Sequence, residues 1–211
     1  LQLFPTIAQA LAAAQAGDTI LVCPGVYTAP LNITVPVTLE SLEGALPRKN
    51  AQGQLIPGTG TFITVTTGQP AITINNVSDQ FPMRIGSTRG GTNHGFVITT
   101  SPISGLTIVP PAGVGIDVVG SAVDIEGNII ISNTVGIRAD SAGTSRLPNI
   151  VNNLVVGNTT GGNISAGGVG IDITSRNKAA LATIVNNTIS YNQAGVLLRE
   201  DGQDPLGRIV A

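Results

Sequence analysis

The sequence has few charged residues and fewer aromatic ones. Of its 211 residues, 10% are charged and 3% are aromatic, and tryptophan is absent. Ten basic residues against twelve acidic ones give a net charge of −2, which provides no field for capturing nucleic acid or an anionic membrane. No apolar run approaches the ~18 residues of a membrane-spanning helix. The composition therefore argues against a membrane-spanning helix and against a nucleic-acid partner.

The chain has one cysteine and one histidine, which leaves little material for disulfide or metal chemistry. Cys23 lacks a second cysteine for an intrachain disulfide and a nearby histidine for a metal site, so we expect it to pack as a small apolar residue. His94 has no Ser, Cys or carboxylate beside it in the sequence, and we expect it in a solvated loop. The sequence therefore predicts no metal site and no cofactor.

A short amphipathic helix is predicted at residues 6–16, ahead of a strand that begins at Thr19. The apolar residues with the spacing of one buried helical stripe are Ile7, Ala10, Leu11 and Ala14. Thr6 and Gln9 have capping-box spacing, and Gly17 suits the left-handed position after a helix. We expect residues 1–18 to cap a stack of strands at residues 19–211, because the first rung of a solenoid otherwise exposes an unpaired edge.

Asparagine pairs mark a repeat within the predicted stack. Their members are five residues apart: Asn128/Asn133, Asn153/Asn158 and Asn187/Asn192. The copies recur roughly every 21 to 34 residues, the length of one solenoid coil with variable loops. We interpret the asparagines as left-handed turn residues whose side chains hydrogen-bond along the axis. At about 23 residues per coil the chain would form roughly eight rungs of a single domain.

A glycine in each copy fixes a strand register that can be tested. The residues after Gly115, Gly136, Gly170 and Gly195 should point inwards, and the next position should form an outward row. That outward row is Asp117, Arg138, Asp172 and Leu197. Because rungs lie about 4.8 Å apart, Arg138 would lie between two surface carboxylates. A surface ion-pair ladder is the favoured interpretation, and ligand binding is the alternative.

The segments after these strands carry half of the basic residues. Residues 140–148, 174–183 and 199–208 occupy the same turn position in successive coils, so they should cluster on one edge. Their basic residues are Arg146, Arg176, Lys178, Arg199 and Arg208. Such an edge would bind an anionic sugar through charge-assisted hydrogen bonds. The alternative is that solvent-facing turns are simply where charges belong.

The amino-terminal segment resembles the cap of right-handed parallel β-helix proteins of the pectate-lyase-like superfamily. The specific matches are TIAQAL at residues 6–11 and AGDTILVCPGVY at residues 16–27, and the repeats extend the resemblance across most of the chain. The resemblance implies an all-β fold: a right-handed, single-stranded parallel β-helix with a short capping α-helix. It also implies an extracellular or cell-surface location.

The resemblance implies a relation to enzymes of this superfamily that cleave or epimerise uronic-acid polysaccharides. Lyases among them hold Ca²⁺ with clustered carboxylates beside an Arg or Lys base, and hydrolases use closely set aspartates. Neither cluster is visible in the sequence, and the epimerase run Asp-Pro-His-Asp is matched only by Asp204 and Pro205. We therefore expect a non-catalytic surface, adhesive or filament-forming scaffold that binds polysaccharide. A lyase, hydrolase or epimerase, with Ca²⁺ in the lyase case, is the alternative.

Two expectations concern the ends of the chain. The chain begins at Leu1 rather than Met, which we interpret as a processed secreted protein or a piece of a longer one. The repeat continues to Leu198 without a closing helix, which predicts an open carboxyl-terminal rung. Either the native protein continues there, or the rung associates end to end with another copy.

Overall fold

A short helix followed by three parallel sheets forms the protein. The computed structural model describes residues 2–45, 50–52, 59–88, 90, 92–101, 113–159, 168–176, 180–200 and 209–210. Within these residues, each strand pairs in parallel with the strand three positions later in the chain. The chain therefore coils through the three sheets in turn, and the predicted right-handed parallel β-helix with an amino-terminal helix is confirmed.

The elements have the following bounds. The helix α1 is Ile7–Ala13. Sheet A contains β1 (Thr19–Val22), β4 (Thr38–Ser41), β7 (Arg84–Ile85), β10 (Asp124–Glu126), β13 (Arg146–Val151), β16 (Leu181–Val185) and β19 (Ile209–Val210). Sheet B contains β2 (Gly25–Tyr27), β5 (Thr61–Thr64), β8 (Val97–Thr99), β11 (Ile129–Ile131), β14 (Leu154–Val156) and β17 (Thr188–Ser190). Sheet C contains β3 (Leu31–Ile33), β6 (Ile72–Asn75), β9 (Val114–Val119), β12 (Val135–Asp140), β15 (Val169–Ser175) and β18 (Ala194–Glu200).

The described strands make six complete rungs, and β19 begins a seventh. This is fewer than the roughly eight expected from an average coil length. The early coils are much longer than that average, since Thr38 pairs directly with Arg84 and Arg84 with Asp124. None of the described helices has the length and apolarity needed to cross a membrane.

The amino-terminal helix is shorter than the sequence predicts. The Thr6 hydroxyl accepts a hydrogen bond from the Gln9 backbone N–H at 3.2 Å, as predicted for the start of the helix. The helix then ends at Ala13, because Ala14 is already extended. Gly17 has the expected positive φ of 90°, but its N–H donates to Pro36 O at 2.8 Å. Docking on the neighbouring coil, rather than a helical C-cap, therefore sets the conformation of Gly17.

The core is a column of aliphatic side chains inside the coil. Ile116, Ile137 and Ile171 are fully buried at the predicted inward positions. In the last rung, Val196 and Leu198 are 40% and 45% exposed, because sheet C continues no further than β18 within the described residues.

The prediction that Cys23 packs as a small apolar residue is wrong: it follows the buried Val22 directly and is exposed. Strand alternation turns the thiol outwards at the end of β1.

Two buried asparagine ladders run along the turns on either side of sheet B. In the first, the Asn128 backbone N–H and Nδ2 both donate to Asn153 Oδ1, at 3.0 and 3.2 Å. Asn153 repeats both contacts with Asn187 Oδ1, at 2.9 and 3.0 Å. Asn133, Asn158 and Asn192 form the second ladder in the same way. The predicted axial hydrogen bonding is confirmed.

The left-handed conformation in these turns belongs to other residues than the sequence suggests. The residues with positive φ that directly precede the ladder asparagines are Gly127, Ser132, Asn152, Gly157, Asn186 and Tyr191. The chain therefore turns one residue before each ladder position. This placement leaves the ladder asparagine free to point into the buried space between rungs, where its side chain replaces missing backbone partners.

Replacing a central ladder asparagine should destabilise the protein. We expect Asn153→Ala to lower the free energy of unfolding by about 2 to 4 kcal/mol. The substitution removes a hydrogen-bond partner from the buried N–H groups of Asn128 and from the carbonyl of Ile125. Urea unfolding followed by circular dichroism measures the loss. The exposed Asn32 on β3 is the control, and Asn32→Ala should change stability by less than about 0.5 kcal/mol. Equal losses in both variants would contradict a structural role for the ladder.

The glycines of the repeat are needed for a different reason: they allow neighbouring rungs to approach closely. A Cβ on Gly136 would lie 2.5 Å from Gly170 O and 3.0 Å from Asn158 Nδ2. We expect Gly136→Ala to cost about 1 to 3 kcal/mol through overpacking. Gly195 occupies the equivalent position in the last rung, where the nearest atom lies 3.6 Å from an added Cβ. Gly195→Ala should therefore leave the urea midpoint nearly unchanged, and a matching loss there would refute the close-approach explanation.

Candidate functional site

The outer face of sheet C brings together the predicted row of charged residues. Arg138 on β12 pairs in register with Asp117 on β9 and with Asp172 on β15. Because side chains alternate along each strand, all three point away from the aliphatic core. The register predicted from the repeat glycines is therefore the register of the structure.

Hydrogen bonds within this row are less symmetric than the register. Arg138 forms a fork with Asp117, with Nε 2.8 Å from Oδ1 and Nη2 2.6 Å from Oδ2. Asp172 is paired instead with Arg199 of the following rung, through Nε to Oδ1 at 3.0 Å and Nη2 to Oδ2 at 3.1 Å. Each carboxylate thus has its own guanidinium, and Arg138 does not bridge the two aspartates through hydrogen bonds.

A third ion pair extends this face towards the turn that leads to sheet A. Arg176 Nε lies 2.9 Å from both carboxylate oxygens of Asp140. The Arg176 backbone N–H also donates to Ser141 Oγ at 2.7 Å, which joins consecutive turns. Two predicted groups, the outward row and the basic turn segments, therefore meet in one place.

These side chains enclose an open groove of about 600 Å³. Its lining consists of Asp117, Val119, Arg138, Asp140, Asp172, Thr174, Arg176, Arg199 and Glu200. The guanidinium groups lie outermost: the Arg138 and Arg199 side chains are 48% and 54% exposed, whereas those of Asp117 and Asp172 are 11% and 12% exposed. A molecule entering the groove would therefore meet arginine N–H donors first and carboxylates beneath them.

The carboxylates strongly favour the charged form of Arg138. The hydrogen bond to Asp117 raises the pKa of its guanidinium above the usual value. The negative charges of Asp117, Asp172 and Asp140 act in the same direction, while partial desolvation opposes them. Arg138 is therefore a fixed cation and a hydrogen-bond donor, which makes it unsuited to accept a proton.

One predicted basic residue that the structure describes lies away from the groove, and two others cannot be placed. Arg146 begins β13 and forms its own fork with Asp79, through Nε to Oδ2 at 3.1 Å and Nη2 to Oδ1 at 3.0 Å. Lys178 and Arg208 lie outside the described residues. The predicted basic edge is thus divided, because residues 146–148 belong to a strand of sheet A rather than to a turn.

Two acidic residues of the groove were not identified from the sequence. Asp140 lies two positions after Arg138, on the same face of β12, so strand alternation alone was sufficient to find it. Glu200 ends β18, where alternation no longer determines the direction of a side chain. The pairing of Asp140 with Arg176 across consecutive turns had no signal in the sequence.

A second polar cluster, on the outer face of sheet A, has the contacts of a structural network. Arg84 is buried in β7, and its guanidinium lies 3.1 Å from Asp124 and 3.3 Å from Glu126. Asn149 donates to Asp124 at 3.0 Å, and the Thr88 hydroxyl donates to Glu126. Each of the four carboxylate oxygens has a contact within the cluster, whereas the buried Arg84 Nη1 makes an ion-pair contact but no hydrogen bond. These mutual contacts fit a structural network rather than a ligand site.

The acidic and histidine side chains of the described residues lack the arrangement of a metal site. Within the described ranges, no three His, Cys, Asp or Glu side chains converge as a metal site requires. The groove aspartates are engaged by guanidinium groups, so they do not fit the Ca²⁺ site of a lyase.

His94 is partly buried, with Nδ1 3.0 Å from Ser41 O, so it packs against β4 instead of lying in a solvated loop.

Comparison with known proteins identifies a family but no function. No curated protein and no solved structure gives a significant match to the chain. Residues 2–209 match the family model described as protein of unknown function, DUF1565. Since the match spans almost the whole sequence, this parallel β-helix protein belongs to the DUF1565 family.

Proposed function

We propose that the protein is a non-catalytic extracellular scaffold that binds polysaccharide along the outer face of sheet C. The observation that carries the proposal is the groove of about 600 Å³ lined by three arginine–carboxylate pairs. These pairs stand on consecutive rungs of a rigid solenoid, so their spacing is fixed before a ligand arrives. The extracellular location rests on the resemblance to pectate-lyase-like proteins.

The chemistry of the groove suits hydroxyl groups. Arg138 and Arg199 pair with aspartates through Nε and Nη2, and a guanidinium carries five N–H donors, so Nη1 is left to donate to a ligand. Rungs repeat at about 4.8 Å, so equivalent positions recur at a regular short interval along the axis. A linear polymer lying along that axis would meet a polar position on each rung.

The enzymatic alternative has less support. A lyase needs a base near the substrate, and the raised pKa of Arg138 keeps that residue protonated. Both oxygens of Asp117 and of Asp172 already accept guanidinium hydrogen bonds, which disfavours them as nucleophile or metal ligand. Action on uronic-acid glycans, with Ca²⁺ in the lyase case, is therefore carried by the superfamily resemblance alone.

Polysaccharide binding should depend on the groove and not on surface ion pairs in general. We expect affinity electrophoresis in gels containing plant or bacterial polysaccharides to retard the protein, and Asp117→Ala/Arg138→Ala to weaken retardation at least about tenfold. The control is Asp79→Ala/Arg146→Ala, which removes a similar fork elsewhere without changing the net charge. The control should bind like the parent protein.

Three outcomes would count against the proposal. Failure of every polysaccharide to retard the protein would contradict binding, and equal loss in the two double variants would contradict the groove as its site. An assay for unsaturated uronides on the same polymers tests the catalytic alternative. Release of product would replace the scaffold with a lyase.

Self-association through the last rung of sheet C is proposed as a second property. Val196 and Leu198 occupy inward positions of the core column and are nevertheless 40% and 45% exposed. Covering them with a rung from another copy would bury apolar area without altering the fold.

We expect light scattering to give a mass that rises with concentration and Leu198→Glu to abolish the rise. Leu181→Glu, at an exposed outward position of β16, is the control, and a constant monomer mass would refute self-association.

A further inference from the structure

We infer that the sheet C groove selects an uncharged, hydroxyl-rich glycan and discriminates against uronic-acid polymers. This selectivity rests on the function proposed above and names its ligand class. It is the opposite of the preference suggested by the basic residues in the sequence, whose number alone pointed to an anionic sugar.

The charges of the described groove residues nearly cancel. Its described lining contains three arginines, at positions 138, 176 and 199, and four carboxylates, at positions 117, 140, 172 and 200. The balance is −1, and three of the carboxylates are in direct contact with an arginine. The described lining therefore presents no net positive charge to an approaching polyanion, so Coulomb attraction to these residues supplies no driving force for its capture.

Contact with a uronate carboxylate would be unfavourable at short range as well. The outer N–H groups of Arg138 and Arg199 are accessible, but Asp117 and Asp172 lie directly behind them. A ligand carboxylate would lose its hydration and come close to a second anion that already shares its guanidinium. A sugar hydroxyl pays a far smaller desolvation cost for the same hydrogen bond.

The groove also offers acceptors as well as donors. The Thr174 hydroxyl lies in register between Asp140 and Arg199, and the Glu200 carboxylate lines the same wall. A sugar hydroxyl donates one hydrogen bond and accepts others, so it can use both kinds of group at once. A carboxylate only accepts and would leave the groove acceptors without a partner.

Salt dependence separates the two ligand classes. Binding of a neutral glycan through hydrogen bonds should change little with ionic strength, whereas binding of a uronate polymer to arginines should weaken as salt screens the attraction. We therefore choose two probes of the same length and backbone: an oligogalacturonate series and, as the neutral series, the same oligomers with every carboxylate converted to its uncharged methyl ester.

Isothermal titration calorimetry of the full chain with both series, at low and high salt, tests the inference. We expect the neutral series to bind at least about tenfold more tightly, with less than about a twofold change between the two salt concentrations. Tighter binding of oligogalacturonate that falls with salt would overturn the inference while leaving polysaccharide binding intact. Binding of neither series would overturn the inference, and together with failure of every polysaccharide to retard the protein it would overturn the proposed function as well.

A charge variant tests the cause of the discrimination. Asp140→Asn/Glu200→Gln changes the balance of the described lining from −1 to +1 and retains hydrogen-bonding side chains of similar size. We expect this variant to gain at least about fivefold in affinity for oligogalacturonate, with the gain lost at high salt. Asp79→Asn, which removes one carboxylate outside the groove, is the control and should show no gain. The same affinity for oligogalacturonate in both variants would refute charge balance as the source of selectivity.

Discussion

Axial hydrogen bonding between rungs is the constraint on which the rest of the structure depends. In the buried asparagine ladders, one side-chain oxygen accepts two N–H groups from the rung before it, as Asn153 does for Asn128. The ladder positions Asn128, Asn133, Asn153 and Asn158 are nearly or fully buried, so an unmatched side chain there would carry a large desolvation cost. The ladders thereby force successive turns to stack in one register, and the strands between them follow.

That register is transmitted to the outer faces of the sheets. Gly136 allows its rung to approach Gly170 so closely that a side chain would not fit, which keeps β12 and β15 directly superposed. Superposed strands place Asp117, Arg138 and Asp172 side by side, and the next outward position places Asp140, Thr174 and Arg199 likewise. The groove is thus a consequence of turn stacking, although none of its charged side chains belongs to a turn ladder.

Local repetition explains how far the sequence predicts this architecture. The asparagine ladders, the inward aliphatic column and the Asp117–Arg138–Asp172 row follow from short patterns that recur with constant internal spacing. The capping helix follows from the spacing of its own apolar and capping residues. Arg84 and its carboxylate partners were missed because long insertions separate their strands, so that Thr38, Arg84 and Asp124 are neighbours without a shared motif. The helix end was missed because Gly17 resembles a C-cap in the sequence but is held by Pro36, whereas the helix has already ended at Ala13.

Side-chain pairing within the groove was beyond sequence reasoning for a different reason. Register places Arg138 between Asp117 and Asp172. Because Arg199 of the next rung pairs with Asp172, Arg138 pairs with Asp117. The same competition neutralises each carboxylate separately. A solenoid that carries opposite charges in one outward row therefore converts them into polar, nearly uncharged contact points. Under the proposed function, such a surface would recognise a ligand through the geometry of hydrogen bonds, whereas the count of basic residues alone would suggest recognition through net charge.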